Sequence, residues 1–269
     1  MRERGFRFME KKAIVVLVDG MRPDGILQCG DSFLSDLAAE STASFSAQTV
    51  FPSVTLPCHT SLFFGVQPQR HGILTNDWHP MVRPFDSLGD LVARYFKKAA
   101  MFYNWEQLRD LNRPGSLARS CFTEVPANHQ KAMESEHTLT DWTVDYIRQE
   151  SPDFLFLYLG YTDIAGHQYG WMTEPYLQAI ANASQCIRRI KEMLPQEYSL
   201  IVTADHGGHD QNHGTECPED MTIPMIFWGE PFQAGVQAQG LTILDIAPTV
   251  ASLLELHPLT EWEGKTLLR

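Results

Sequence analysis

Six short apolar runs, each separated from the next by a stretch of helical spacing, constrain the fold of this 269-residue chain more than any other feature. Residues 13–18 (AIVVLV), 154–159 (FLFLYL) and 200–203 (LIVT) are nearly continuous in apolar character, as strands covered on both faces are. Residues 44–50, 99–103 and 223–228 complete the expected strands. Helical patterns fall at 33–40, 56–64, 87–97, 136–149, 176–194 and 244–254. Strands alternating with helices predict a single α/β domain over 1–269, with a largely parallel central sheet between helices. Residues 104–131 are the least regular stretch. They read either as a small cap over one end of the sheet or as an ordinary long surface connection.

Composition removes several function classes. At 43% hydrophobic and 20% charged the chain is that of a globular domain, and no apolar run approaches the roughly 20 residues that cross a bilayer, so no membrane partner is expected. A net charge of −12 argues against stable binding of nucleic acid, which favours basic surfaces. It does not argue against a small phosphate ester, because repulsion is screened beyond about 8 Å and bound cations would reverse the field inside a cleft. The five cysteines are scattered and odd in number (Cys29, Cys58, Cys121, Cys186, Cys217), which suits free thiols better than a disulfide framework. The basic start MRERGFRFMEKK lacks the apolar core of a signal peptide, and together these features lead to an expectation of cytoplasmic placement.

Ligands of parallel sheets bind beyond the carboxyl ends of the strands, and there the chain concentrates Asp and His. Asp19 follows the first strand, with Gly20 permitting a sharp turn; Asp24, in RPDG, reads as a turn residue. Asp163 and His167, in YTDIAGHQYG, are spaced so that one helical turn would put both on one side, although Gly166 and Gly170 favour a loop with a single turn over a helix. Asp205 and His206 are neighbours that would face opposite ways on a strand, unless Gly207 and Gly208 turn the chain at once. His213 lies in a polar stretch where His209 is its competitor. His59, His71, His79, His129, His137 and His257 read as surface or satisfied core histidines. Thr55, before Leu56-Pro57, would occupy a helix start, where threonine is most often a cap; Ser53, Thr60 and Ser61 are rival hydroxyls.

In this order, the motifs resemble those of the alkaline phosphatase superfamily, and within it the nucleotide pyrophosphatase/phosphodiesterase family. VDGMRPDG is similar to the family's strand-end motif, and FPSVTLPCHTSLFFGVQPQRHGIL to its nucleophile segment FPTxTFPNHxxLxTGxxPxxHGI. YTDIAGHQYG resembles PDxxGHxxG, TADHGG resembles SDHGM, and HGTECPEDMTIPMIFWG resembles the segment with the last histidine ligand. The resemblance implies an alkaline-phosphatase-like three-layer sandwich holding two divalent ions, zinc by preference and manganese as the alternative. Asp163, His167 and His213 would hold one ion, and Asp19, Asp205, His206 and the Thr55 oxygen the other. Thr55 would be the nucleophile, and Asn76 would donate to a phosphate oxygen. Leu56 stands where relatives acting on nucleotides carry a base-stacking Phe; Trp78, Tyr103 and Trp105 are the other faces that could line a substrate pocket.

These groups predict a hydrolase of phosphodiester or phosphoanhydride bonds acting through phospho-threonine on a small diester or nucleotide-like substrate. Two divalent ions against three carboxylates leave one net positive charge, which matches a singly charged diester better than a dianionic monoester. No Arg or Lys lies between Asp31 and Gln69, the stretch holding Thr55, to meet a further charge. The alternatives are a phosphomonoesterase, phosphonate hydrolase or phosphomutase on the same scaffold, and a non-catalytic metal-binding protein.

Overall fold

The structure is a computed structural model and describes residues 10–81 and 85–268. The strands are β1 (Lys12–Val18), β2 (Thr42–Gln48), β3 (Ala99–Tyr103), β4 (Arg119–Phe122), β5 (Phe154–Leu159), β6 (Tyr198–Thr203), β7 (Thr222–Trp228) and β8 (Val236–Gln237). The helices are α1 (Pro23–Gln28), α2 (Phe33–Ala39), α3 (Thr55–Phe64), α4 (Pro68–His71), α5 (Leu88–Arg94), α6 (His129–Glu150), α7 (Tyr161–Tyr169), α8 (Glu174–Met193), α9 (Pro218–Met221) and α10 (Ile246–Leu253). The strands form one sheet in the order β4-β3-β5-β1-β6-β7-β2-β8. Every pairing is parallel except those of β7 with β6 and β2.

The centre of the sheet is built by the runs the sequence marks as apolar. Ala13–Val18 of β1 are all buried to 0% exposure between β5 and β6, and each Val, Leu or Ile there contributes about 1.5–3 kcal/mol. One face is covered by α3, α5 and α10, and the other by α1, α2, α6, α7 and α8, giving three layers. Helix starts follow local chemistry. Ser87 and Asp90 form a capping box on α5, Asn128 accepts from the Lys131 amide at the start of α6, and Pro175 lies in the first turn of α8.

Two sequence expectations need correction. The 104–131 stretch supplies a 3-10 turn (Glu106–Leu111) and the edge strand β4, paired with β3, and α6 begins at His129 rather than at 136. Residues 161–169 form a true helix, not a loop with one turn, with Gly166 accommodated inside it. The sheet is largely parallel, as expected, and β7 is the strand that runs against its neighbours. Among the described residues no helix is long and apolar enough to cross a membrane, and all five cysteines are free. The N-terminal stretch used above for localisation lies largely outside the described residues.

Candidate metal centre

Strand β1 lies between β5 and β6, so the chain leaving these three neighbours delivers its side chains to one rim of the sheet. Asp19 follows β1 directly, α7 starts two residues after β5, and Asp205 and His206 follow β6. Gly20 makes the turn after Asp19 with φ +66°, and a Cβ there would stand 3.2 Å from the Cα of Asp163. The close approach of the two aspartates therefore needs glycine at this position.

The acidic and imidazole groups sort into two sets. In the first, His206 Nε2 lies 3.3 Å from both Asp19 Oδ1 and Asp205 Oδ2. In the second, Asp163 Oδ2 is 3.5 Å from His167 Nε2 and Asp163 Oδ1 is 3.6 Å from His213 Nε2. These separations are too long for good hydrogen bonds. They match two donors about 2.1 Å from one ion at a tetrahedral angle, which stand about 3.4 Å apart. The other nitrogen of each ring is committed: Nδ1 of His206, His213 and His167 donates to the carbonyls of Gly207, Ser53 and Gln211 at 2.8, 2.8 and 2.9 Å. A carbonyl can only accept, so each Nδ1 carries the hydrogen and each Nε2 presents a lone pair, as metal-binding imidazoles do.

The carboxylates are prepared in the same way. Asp205 Oδ1 accepts from the Gly20 and His206 amides at 3.1 and 3.0 Å, and Asp19 Oδ2 accepts from the Tyr158 hydroxyl. What remains is one buried oxygen on each aspartate with no partner: Asp19 Oδ1, Asp163 Oδ1 and Asp205 Oδ2. Burial raises the pKa of all three, and for Asp19 the neighbouring Asp205 and Asp163 raise it further. Burial also lowers His206 and His213 to about 4, and their rings stack 3.8 Å apart, so both stay neutral at physiological pH. Orphaned anionic oxygens among neutral imidazoles are what divalent cations satisfy. The residues fit such ions.

Thr55 is the first residue of α3, with Val54 in the cap position, so its hydroxyl is not spent as a cap. Its Oγ1 lies 3.3 Å from His206 Nε2 and the residue is 4% exposed. The rival hydroxyls are occupied: Ser53 donates to Thr215 O, Thr60 to Leu56 O, and Ser61 bonds the His71 ring. His209 pairs with Asp220 at 2.8 Å beside Cys217, and the second Asp220 oxygen accepts twice from Thr215, so this triad closes on itself away from the two sets. Asn76 Oδ1 accepts the Leu56 amide at 2.9 Å, and its Nδ2 has no partner among the described residues. Asp24 clasps Arg22 at 2.6 Å.

The substrate-lining expectation holds less well. Leu56 is 0% and Tyr103 4% exposed, and the Tyr103 ring packs beside Phe122, so neither offers a face to a ligand. Trp105 and Trp78 are half-buried, and Trp78 lines a cavity of about 620 Å³ with Phe64, Met81, Phe85 and Leu117.

Sequence reasoning also missed supporting groups. His59 is fully buried, with Nδ1 2.8 Å from the Thr55 carbonyl and 3.5 Å from Asp205 Oδ2, and its ring meets Tyr158 edge-on. Trp171 donates to the Gly20 carbonyl and lies where any Cβ at Gly166 or Gly208 would be, 2.6 and 2.2 Å away. The glycines of GHxxG-type and DHGG-type motifs are the only sequence trace of that ring.

The model of the type I phosphodiesterase / nucleotide pyrophosphatase family matches residues 13–86 and 89–224. Human bis(5'-adenosyl)-triphosphatase ENPP4 is 23% identical over 265 residues, 91% of this chain and 55% of that protein. Venom phosphodiesterase 2 of Crotalus adamanteus is 26% identical over 229 residues, 74% of this chain and 27% of that protein. The chain thus spans about half or less of the length of these relatives. Murine ectonucleotide pyrophosphatase / phosphodiesterase 5 superposes with a TM-score of 0.76 at 15% identity, covering 96% of this chain and 100% of that one, and has also been solved in an inactive form with AMP. Because the matched segments span most of the chain and contain Thr55 and every member of both donor sets, the chain belongs to the type I phosphodiesterase / nucleotide pyrophosphatase family.

Proposed function

We propose that this chain hydrolyses phosphodiester or phosphoanhydride bonds at the centre just described, with two divalent cations and a phospho-threonine intermediate on Thr55. The observation that carries this reading is the Thr55 hydroxyl, whose Oγ1 stands 3.3 Å from His206 Nε2 beside two sets of unpaired donors. Asp163, His167 and His213 would hold one ion, and Asp19, Asp205 and His206 with the Thr55 oxygen the other. Bound there, divalent ions supply Lewis-acid polarisation of phosphoryl oxygens and lower the pKa of a hydroxyl. Mixed imidazole and carboxylate donors favour zinc, with manganese second.

The chain's own groups do the rest. Thr55 Oγ1 attacks phosphorus, forming the Oγ–P bond as the bond to the leaving alcohol or phosphate breaks. Water then attacks the same phosphorus and releases Thr55, so two in-line steps retain configuration. The Nδ2 of Asn76 donates to a phosphoryl oxygen. Tyr158 holds Asp19 and the Gly207 carbonyl holds His206 in the orientation each needs.

Charge supports a diester over a monoester. The two arginines that flank the nucleophile segment are engaged elsewhere: Arg22 with Asp24 and the Gly208 carbonyl, Arg70 with Glu263 and the Glu261 carbonyl. Relatives named for diadenosine triphosphate, and one solved with AMP, support a nucleotide-like diester or anhydride. Because Leu56 is buried, the base would stack on Trp78 or Trp105. Steady-state kcat/KM of the zinc-loaded protein on bis-p-nitrophenyl phosphate and on p-nitrophenyl phosphate tests the reading. The diester is expected to be the better substrate; a preference for the monoester would overturn it.

A further inference from the structure

Helix α7 carries two donors of one set, Asp163 and His167, and its own N-cap residue, Gly160, has no side chain to hold its first amides. Those amides are held from elsewhere in the fold. The Gly160 amide donates to Asn104 Oδ1 at 2.9 Å, from the end of β3. The Tyr161 amide donates to Glu136 Oε1 at 3.0 Å, from the middle of α6. Glu136 Oε2 in turn accepts from Asn182 Nδ2 of α8 at 3.1 Å, so one carboxylate is clamped among three helices at 0% exposure.

We infer that Glu136 is a positioning residue for the Asp163–His167–His213 set: by capping α7 in trans, with Asn104, it sets how tightly that set binds its cation. The inference rests on the reading that these three residues hold an ion. A carboxylate facing a helix N-terminus is favoured by the helix dipole and by the unpaired amides of the first turn. Burial nevertheless raises Glu136 to about 7, a cost the fold bears. The geometry gives that cost a use. Asp163 is two residues beyond the capped Tyr161 amide, and His167 follows one turn later on the same side. A slide or rotation of α7 therefore displaces two donors of one ion together. The other set comes from chain leaving β1 and β6 and would not move with it.

Zinc titration of the metal-free 269-residue chain, followed through the imidazole NMR resonances, separates the two sets. His167 and His213 report one ion and His206 the other. Glu136→Ala is expected to shift the zinc response of His167 and His213 to about 10–100-fold higher concentration, the usual cost of losing a group that orients a ligand, with His206 unchanged. Glu136→Gln keeps an acceptor for the Tyr161 amide and should restore the response to within a few-fold of the parent. An Ala variant with a parental response at all three histidines, or with all three weakened alike, would overturn the inference. Should Glu136→Ala not fold, Asn104→Ala removes the Gly160 bond while Glu136 stays on the Tyr161 amide, and is expected to weaken the same two histidines less; no selective loss there also overturns it. A parent chain whose histidines ignore zinc would instead sink the metal reading itself, before any variant is made.

Discussion

Asp19, Asp205 and His206 leave two adjacent central strands with side chains no more than 2% exposed, whereas Asp163, His167 and His213 come from a helix and a loop and are 14, 40 and 8% exposed. The first set inherits its geometry from hydrogen-bonded strands, since β1 and β6 are paired along their length and a donor at each end can move only with the sheet. The second depends on where α7 and the 207–217 loop are placed, by Glu136, Asn104 and the Ser53 carbonyl. The same ligand chemistry is thus mounted on a rigid frame on one side and on an adjustable one on the other. The rigid side also holds the hydroxyl.

The contrast is easiest to break at Thr55. Thr55→Ala should lower kcat on a diester by at least about 10³-fold, the scale expected for loss of a nucleophile, while zinc content stays at the parental value. Zinc lost along with activity would show that the strand-borne set needs the threonine oxygen more than its burial suggests, and unimpaired turnover would refute the nucleophile.

The next effect lies under the helix-borne set. In the metal-free protein burial raises Glu136 from 4.5 to about 7. A raised folded-state pKa gives stability that is fully present below pH 4.5 and is lost as pH climbs through about 7. Gln does not titrate, so the stability of Glu136→Gln relative to the parent should rise by up to about 3 kcal/mol between pH 4.5 and 7. Urea unfolding of both proteins across that range measures it; a difference that stays flat with pH would mean Glu136 is ionised in the fold at no cost.

The smallest effect is the order of metal loss. Dialysis of zinc-loaded protein against increasing chelator should return the His167 and His213 resonances to their metal-free positions first, with His206 following at about 10-fold higher chelator. Simultaneous release, or release in the opposite order, would show that exposure and mounting do not control retention here.

The strand-borne half of the centre was the more legible in sequence. Continuous apolar runs announce β1, β5 and β6, and an acid directly after such a run in an α/β chain already points at a ligand rim. The helix-borne half was harder. Gly166 argued against a helix, yet it is there because Trp171 fills the space a Cβ would need, a tertiary reason invisible in local propensity. His213 and His209 could not be separated by spacing, and the structure divides them by partner: one faces Asp163, the other closes on Asp220. Among four hydroxyls, Thr55 was singled out by its helix start and the motif around it, and the structure adds that Ser53, Thr60 and Ser61 are bonded elsewhere. Leu56, named for its place in the motif, and Tyr103, named for its aromatic ring, both lie in the core. The edge strand β4, with exposed polar residues and no apolar alternation, left no readable signal.

Residue type and periodicity were enough to establish the α/β architecture and the acids and imidazoles available, and the motifs' resemblance pointed to the family, because these are local properties of the chain. Which of those groups meet was decided by the order of strands in the sheet, which brings Asp19 within reach of His206 and Asp163 within reach of His213. That order also brought in the residues that hold them: Tyr158, His59, Trp171 and Glu136. None of these carries a signature in one dimension, since a group that acts by touching another is defined by a distance, and distances across a sheet exist only after it has formed.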